Sequence, residues 1–299
     1  MTSAPERPAY RLFDVQVRAV TVLSPSFLRV TFTGPNLDSF DDVGDDQRLK
    51  LVLPRPGARP VELPRDADWY AAWRALPDAV RPALRTYTVA AVRPAAREVD
   101  VVFVRHGATG PASAWAEGAA PGDRLTLVGP DARSRAPRRA AEWSPPDAGR
   151  LLLAADETAV PAVLAVLAGL AGDRPGVAHL EVPVAADVLP HAAPPGVEAV
   201  WHPRDGRPHG SLLCAAVSAT VAGWVEGPPG PAVDVPPADD DATLLWDVAD
   251  AADAPLYVWL AGEAGVVRGL RRHLVGDLGV DRRAVTAMGY WRRGATETD

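Results

Sequence analysis

The chain is 299 residues long, 47% hydrophobic and 23% charged, with 31 basic and 38 acidic residues and a formal net charge of −7. The length suits two ordinary domains, the composition is that of a globular protein able to bury two cores, and the acidic balance argues against a nucleic-acid binder. A single cysteine, Cys214, excludes an internal disulfide and a thiolate metal cluster, and its apolar neighbours make it a packed helix residue.

The opening MTSAPERPAYRLFDV has no basic n-region and no apolar h-region, so a cytoplasmic location is expected. The longest apolar run, Leu151–Gly172, is broken by Asp156, Glu157 and Pro161, so no membrane insertion is expected.

The first half reads as short strands. Leu28, Val30 and Phe32 alternate with Arg29, Thr31 and Thr33, and Leu49, Leu51 and Leu53 alternate with Lys50 and Val52, a period of two. Val99–Val104 and Arg124–Val128 are further β-rich runs between turn signals, and the sum predicts an antiparallel barrel or sandwich. Between them Trp69, Trp73 and Leu76 recur at helical spacing, which predicts a short inserted helix packed through its tryptophans.

Beyond the segment Asp131–Gly149, rich in Pro, Arg and Asp, the pattern changes. Strands are predicted at Leu151–Ala155, Val177–Val184, Val197–Trp201 and Leu256–Leu260, and helices at Val160–Leu170, Ser211–Ser218 and Ala264–Leu274, with a surface loop over Val221–Asp241. Strands alternating with helices form a parallel α/β sheet, which places the domain boundary near Gly149: residues 1–148 and 149–299.

Two stretches of the first half carry chemistry. RTYTV at Arg85–Val89 sets one basic, one aromatic and two hydroxyl side chains on a strand, and HGATGPASAWA at His106–Ala116 leaves backbone N–H groups uncovered. Together they suit a flat ring and a diphosphate; a structural turn explains the glycines about as well, and His106 by itself reads more often as a strand-end surface histidine.

In the second half, ligands of an open α/β sheet bind beyond the carboxyl ends of the strands, here at Asp156-Glu157-Thr158-Ala159 and Ala261-Gly262-Glu263-Ala264. The first turn lacks G-x-G-x-x-G, and its two acids either repel a diphosphate or simply cap the next helix.

The order Arg85-Thr86-Tyr87-Thr88, His106-Gly107, Gly110-Pro111-Ala112-Ser113, Trp115-Ala116, Gly122-Asp123, Gly129-Pro130, Asp156-Glu157-Thr158-Ala159, Gly262-Glu263-Ala264 and Gly289-Tyr290-Trp291-Arg292 resembles the siderophore-interacting protein family. That family comprises flavin-dependent ferric-siderophore reductases of the ferredoxin–NADP reductase superfamily. The resemblance implies an N-terminal antiparallel β-barrel binding FAD, then a Rossmann-like parallel α/β domain binding NADH or NADPH.

It further implies that Tyr87 packs on the isoalloxazine and Thr88 reaches its reactive N5 edge, the two residues closest to the chemistry, while Arg85 faces the diphosphate. Gly110, Ala112 and Ser113 form the phosphate loop with His106 near the cofactor. Asp156, Thr158, Gly262 and Glu263 line the nicotinamide crevice.

Tyr290-Trp291 either stacks near a cofactor ring or closes a core strand. Arg204 and Arg207 either meet a 2′-phosphate or are solvated, leaving NADH against NADPH open.

One departure stands out: the family commonly places an arginine two residues after the hydroxyl, where this chain has Ala90, with Arg93 three positions further as a substitute. Two basic clusters, Arg133/Arg135/Arg138/Arg139 and Arg268/Arg271/Arg272, suit an anionic ferric siderophore, with Arg138 and Arg139 the first choice, or are plain surface charge. Iron passes through as substrate; the scattered histidines predict no resident metal, and a monomer is expected. The rival readings are a flavin reductase serving another acceptor and a flavin-free siderophore-binding protein.

Overall fold

The computed structural model describes residues 7–55, 61–65, 68–107, 110–136, 140–170, 172, 174–225 and 245–294. The chain divides into two compact units, Met1–Ala141 and Glu142–Thr298.

The first unit is a closed antiparallel barrel of six strands, β1 (Tyr10–Val22), β2 (Phe27–Thr33), β3 (Arg48–Leu53), β4 (Ala83–Arg93), β5 (Glu98–Val104) and β6 (Arg124–Pro130), in the order β1-β2-β5-β4-β3-β6. β1 was not among the predicted strands, although Val15, Val17, Asp14 and Gln16 alternate buried and exposed. It pairs with both β2 and β6 and so closes the sheet, leaving no free edge. Inward-facing Phe13, Phe32, Leu49, Leu51, Val101, Phe103 and Leu127 form the core.

Helix α1 (Trp69–Ala75) buries Trp69 and Trp73, one turn apart, in an outer cluster with Leu12, Val52 and Leu84, and Trp73 Nε1 donates to the Pro82 carbonyl at 2.8 Å. Helix α2 (Pro111–Gly118) buries Ala112 and Ala116, also four apart, in the barrel core.

The second unit is an α/β sheet built from β7 (Asp147–Ala155), α3 (Val160–Gly169), β8 (Gly176–Val182), β9 (Val197–Pro203), α4 (Ser211–Trp224), β10 (Trp246–Asp247), β11 (Asp253–Glu263), α5 (Ala264–Arg272) and β12 (Val285–Trp291). The strand order is β10-β12-β11-β7-β8-β9, all parallel except β10. Leu152, Ala154, Val258 and Leu260 share a core with Leu213 and Val217 of α4 and Val267 and Leu270 of α5.

Three expectations are corrected here. Ala261, Gly262 and Glu263 are the end of β11 rather than a turn, because they still pair with β12, Gly262 with Gly289 and, after a one-residue shift, Glu263 with Trp291. The predicted loop begins too early, since Val221–Trp224 complete α4 with Val221 fully buried; residues 226–244 lie outside the described residues. α5 ends at Arg272 and passes into a wider turn at His273–Asp277.

The topology fixes where the site lies. From β7 the chain winds outward through β8 and β9, then returns to the other side of β7 as β11 and β12. The switch point is therefore between β7 and β11, at their carboxyl ends.

Candidate functional site

In the barrel, β4 carries Arg85, Tyr87 and Thr88. Arg85 and Tyr87 are paired across the ladder with the core residues Leu51 and Leu49, whereas Thr88 lies opposite Arg48 and is buried. The Tyr87 ring centroid lies 4.6 Å from that of Phe103, Phe103 lies 5.9 Å from Trp115, and Trp115 stacks on Phe32 at 5.9 Å. An unbroken aromatic row thus connects the RTYTV strand to the helix of the HGATGPASAWA segment. Such rows add to area burial through ring geometry.

That helix begins at Pro111 after Gly110. Ser113 Oγ accepts from the Gly110 N–H at 3.1 Å, and the first intrahelical bond runs from Ala114 N–H to the Gly110 carbonyl at 2.9 Å. The N–H groups of Ala112 and Ser113 therefore have no acceptor within the helix, and no acidic residue stands in its first turn. Gly107, with φ +77°, adopts a conformation open to glycine, and His106 is exposed at the end of β5. Arg85 Nη1 donates to the Leu84 carbonyl at 2.6 Å. An acid-free helix start, joined by an aromatic row to the strand that carries Arg85, fits the diphosphate and flat ring of a flavin nucleotide.

The suggested substitute for the missing arginine fails. Arg93 Nε donates to Glu98 at 2.9 Å and its two terminal nitrogens donate to Asp100 at 2.9 and 2.7 Å. A guanidinium in such a bidentate grip is a strut between β4 and β5, not a phosphate ligand.

In the α/β unit, Asp156 lies at the switch point and is 1% exposed. Its Oδ1 accepts from the N–H and hydroxyl of Thr158 at 2.9 and 2.5 Å; its Oδ2 accepts from the Glu263 N–H at 2.8 Å and from Trp291 Nε1 at 2.9 Å. Gly262 allows this: its φ is +148° and a Cβ there would come within 2.6 Å of the Asp156 carboxylate carbon.

The predicted residues Asp156, Thr158, Gly262, Glu263 and Trp291 are thus brought together. Asp156 and Glu157 are not N-cap residues of α3, whose N-cap is Ala159. Trp291 is partly buried, with its indole N–H tied to Asp156. Tyr290 stacks on Trp246 at 6.2 Å.

Two neighbours escaped the sequence reading. His209, eleven-twelfths buried, has Nε2 3.3 Å from Asp156 Oδ2 and 3.6 Å from Glu157 Oε2, with its ring edge-to-face against Trp291. Burial disfavours its charge, yet the two carboxylates outweigh it and hold its pKa up to about 9. Glu181, wholly buried on β8, accepts from the N–H groups of Gly210 and Leu213 at 2.6 and 2.9 Å and so caps α4. An acid in the apolar run HLEV was the available signal, since such a residue is almost never buried without partners.

Arg204, considered for a 2′-phosphate, is instead gripped by both oxygens of Glu157 at 2.7 and 2.8 Å and lies 3.3 Å from Glu181. Burial alone would raise the Glu157 carboxyl; Arg204 and His209 hold it below its ordinary range. Arg207 is exposed.

Asp156, Glu157 and His209 converge closely enough to suggest a metal site. However, Arg204 takes both Glu157 oxygens and Asp156 is saturated with donors, so a proton on His209 suits the site better than a dication. Three acids (Asp156, Glu157, Glu181) face two cations (Arg204, His209), leaving one negative charge in excess.

Of the proposed substrate cations, Arg138 and Arg139 lie outside the described residues. Arg133 pairs with Asp38 at 2.6 Å, Arg135 is exposed, and Arg271 pairs with Asp247.

A closed antiparallel barrel followed by a parallel α/β unit is a ferredoxin reductase-like architecture. Residues 16–134 match the model of the siderophore-interacting FAD-binding domain, and residues 148–294 match that of the siderophore-interacting protein.

An uncharacterised protein of Mycobacterium tuberculosis is 35% identical over 294 residues, covering 96% of this chain and 92% of the relative. The NADPH-dependent ferric-chelate reductase of Escherichia coli is 29% identical, covering 97% and 99%. The crystal structure of the siderophore-interacting protein SipS from Aeromonas hydrophila superposes with a TM-score of 0.68 at 29% identity, covering 97% and 95%. The chain belongs to the siderophore-interacting protein family.

Among the described residues no helix is long and apolar enough to cross a membrane.

Proposed function

We propose that this chain is an FAD-dependent NAD(P)H oxidoreductase that reduces ferric siderophores and releases ferrous iron. The observation that carries this reading is the acid-free start of α2, joined through Trp115 and Phe103 to Tyr87, within a chain of this family. FAD, when bound, accepts a hydride from NAD(P)H and returns electrons singly, so one donor reduces two ferric chelates.

The chain's own residues position. The Arg85 fork and the N–H groups of Ala112 and Ser113 hold the diphosphate, Tyr87 offers a flat face, and Thr88 presents a hydroxyl to the flavin edge. His106, exposed at the mouth of the same loop, adds a donor toward the cofactor.

Hard oxygen ligands hold Fe³⁺ more firmly than Fe²⁺ because each Coulomb attraction scales with charge, so reduction loosens the chelate. We assign Arg138 and Arg139 to the anionic chelate; replacing both by Ala raises KM for it, and an unchanged KM removes them from the site.

The test is a visible spectrum of the purified, flavin-loaded chain under anaerobic conditions. Addition of NADH or NADPH bleaches the flavin bands, and a ferric siderophore with a ferrous-iron trap restores them with ferrous iron captured. Bleaching without reoxidation by ferric chelates moves the chain to another acceptor; failure to take up FAD makes it a flavin-free binder.

A further inference from the structure

The carboxyl edge of the α/β sheet sets a titratable cation against the carboxylate at its switch point. His209 stands just before α4, with Nε2 3.3 Å from Asp156 Oδ2 and 3.6 Å from Glu157 Oε2, and its ring meets Trp291 edge to face with centroids 5.4 Å apart. The same Asp156 Oδ2 accepts from the Trp291 indole N–H and from the N–H of Glu263, a residue of the proposed nicotinamide crevice. One oxygen therefore links His209 to the crevice.

Around the imidazole, the loop after β7 brings Asp156 and Glu157, β8 brings Glu181 to the neighbouring Gly210 N–H, and the loop after β9 brings Arg204 onto both glutamates. The end of β11 brings Glu263, β12 the neutral indole of Trp291, and α5 the apolar Val266 against Gly210, while Arg207 of the same turn is exposed. Arg204 is a permanent cation, so among these carboxyl, guanidinium and imidazole groups the imidazole is the one that exchanges a proton in the mildly alkaline range. Burial opposes its charge, and the two carboxylates override burial and hold its pKa up to about 9. Its Nδ1 is buried without a hydrogen-bond partner among the described residues, so deprotonation empties that nitrogen and leaves Nε2–H between the carboxylates.

With its proton, His209 balances Asp156; without it, Asp156 keeps a full negative charge. The oxidised nicotinamide ring carries one positive charge and the reduced ring none, while the phosphates are the same in both. Loss of the His209 proton therefore acts on both nucleotides alike through their phosphates, and on the oxidised one alone through its ring.

We infer that His209 is a specificity-determining residue of the nicotinamide crevice, whose proton sets how strongly the crevice distinguishes the oxidised from the reduced nucleotide. It acts through Asp156 and is a positioning residue rather than a catalytic one. The inference rests on the proposed NAD(P)H oxidoreductase activity and adds to it a product preference that grows as His209 loses its proton.

The experiment titrates NADP⁺ and its tetrahydronicotinamide analogue, whose ring is neutral and donates no hydride, into the flavin-loaded full chain by calorimetry from about pH 7 to about pH 10. The ratio of the two dissociation constants is expected to move toward NADP⁺ by at least about threefold across that range, the effect of one unit charge near the ring. By reciprocity NADP⁺ releases more protons than the analogue near pH 9, read from the dependence of the heat on the buffer. His209→Gln keeps an N–H donor without the charge, so its ratio should be level with pH and should already favour NADP⁺ at about pH 7. A ratio level with pH in the parent chain, without the extra proton release, overturns the inference and leaves the oxidoreductase reading intact, as does a pH shift that persists in His209→Gln. A flavin-loaded chain that binds neither nucleotide overturns both.

Discussion

The indole Nε1–H of Trp291 donates to Asp156 Oδ2 at 2.9 Å, across 135 positions of the chain. It ties the last strand of the α/β sheet to the loop after its first, over the end of β11. That span explains why position 262 has no side chain and why the acid after β7 is unavailable as a helix cap.

Trp291→Phe keeps the ring and removes the donor. Hydrogen bonds to buried charge contribute about 1.5–3 kcal/mol, so unfolding by urea should show a loss of that order. A variant as stable as the parent means that the indole bond carries no net stabilisation.

Gly262→Ala tests the same junction from below. A side chain at φ +148°, with its Cβ 2.6 Å from the Asp156 carboxylate carbon, forces the loop to move. The strained backbone alone costs about 1–3 kcal/mol, and a lowered melting temperature should appear with weaker nucleotide binding.

Stability should peak near pH 6.5. His209 has a folded pKa held up to about 9 from 6.5, so its contribution is full below pH 6.5 and is lost as pH rises through 9. His179 on β8 behaves oppositely: burial, then the charge of His202, pushes its pKa down to about 4. Its Nδ1 lies 3.0 Å from His202 Nε2 and its Nε2 2.9 Å from Thr220 Oγ1. As pH falls from 6.5 through 4 the unfolded chain takes a proton that folded His179 refuses, and stability drops. Denaturation at a series of pH values reads both limbs; His209→Gln should flatten the alkaline limb and leave the acid one, and an alkaline limb that persists in the variant refutes the assignment.

Pro111→Asp separates flavin binding from folding. An acid at the first position of α2 suits the helix dipole, so the flavin-free chain should keep its stability within about 1 kcal/mol. The same charge opposes a diphosphate, and the FAD dissociation constant should rise at least about tenfold. Unchanged FAD affinity would falsify the placement of the phosphates at this helix.

Tyr87→Ala removes the flat contact at the other end of the aromatic row. Flavin occupancy after purification should fall, with a folding cost of about 3–5 kcal/mol if the ring is a core residue as much as a flavin platform. Full occupancy in a folded variant would exclude Tyr87 from the cofactor site.

Much of this protein was legible in one dimension. Alternation at Leu28–Thr33 and Leu49–Leu53 announced the barrel, the tryptophans of α1 announced their own burial, and the change of period after Gly149 announced the parallel sheet, because strand and helix periodicities are local consequences of which face meets a core. The order of short motifs announced the family. β1 was passed over because its ends, Tyr10–Leu12 and Arg18–Val22, blur the alternation that Phe13–Val17 carries.

Pairing belongs to three dimensions. Arg93, Arg204 and Asp156 each had a ligand among their readings, and each is bound by a residue of the protein. Charge in a sequence says what a side chain is able to attract, whereas the partner that wins is the one that the fold brings within 3 Å with its desolvation already met. His209 and Glu181 entered the site only through such meetings. The sequence by itself determined the two architectures and the family; the tertiary structure alone decided that Glu181 caps α4 and that Arg204 closes on Glu157, because electrostatic pairing depends on distance in space and not on spacing along the chain.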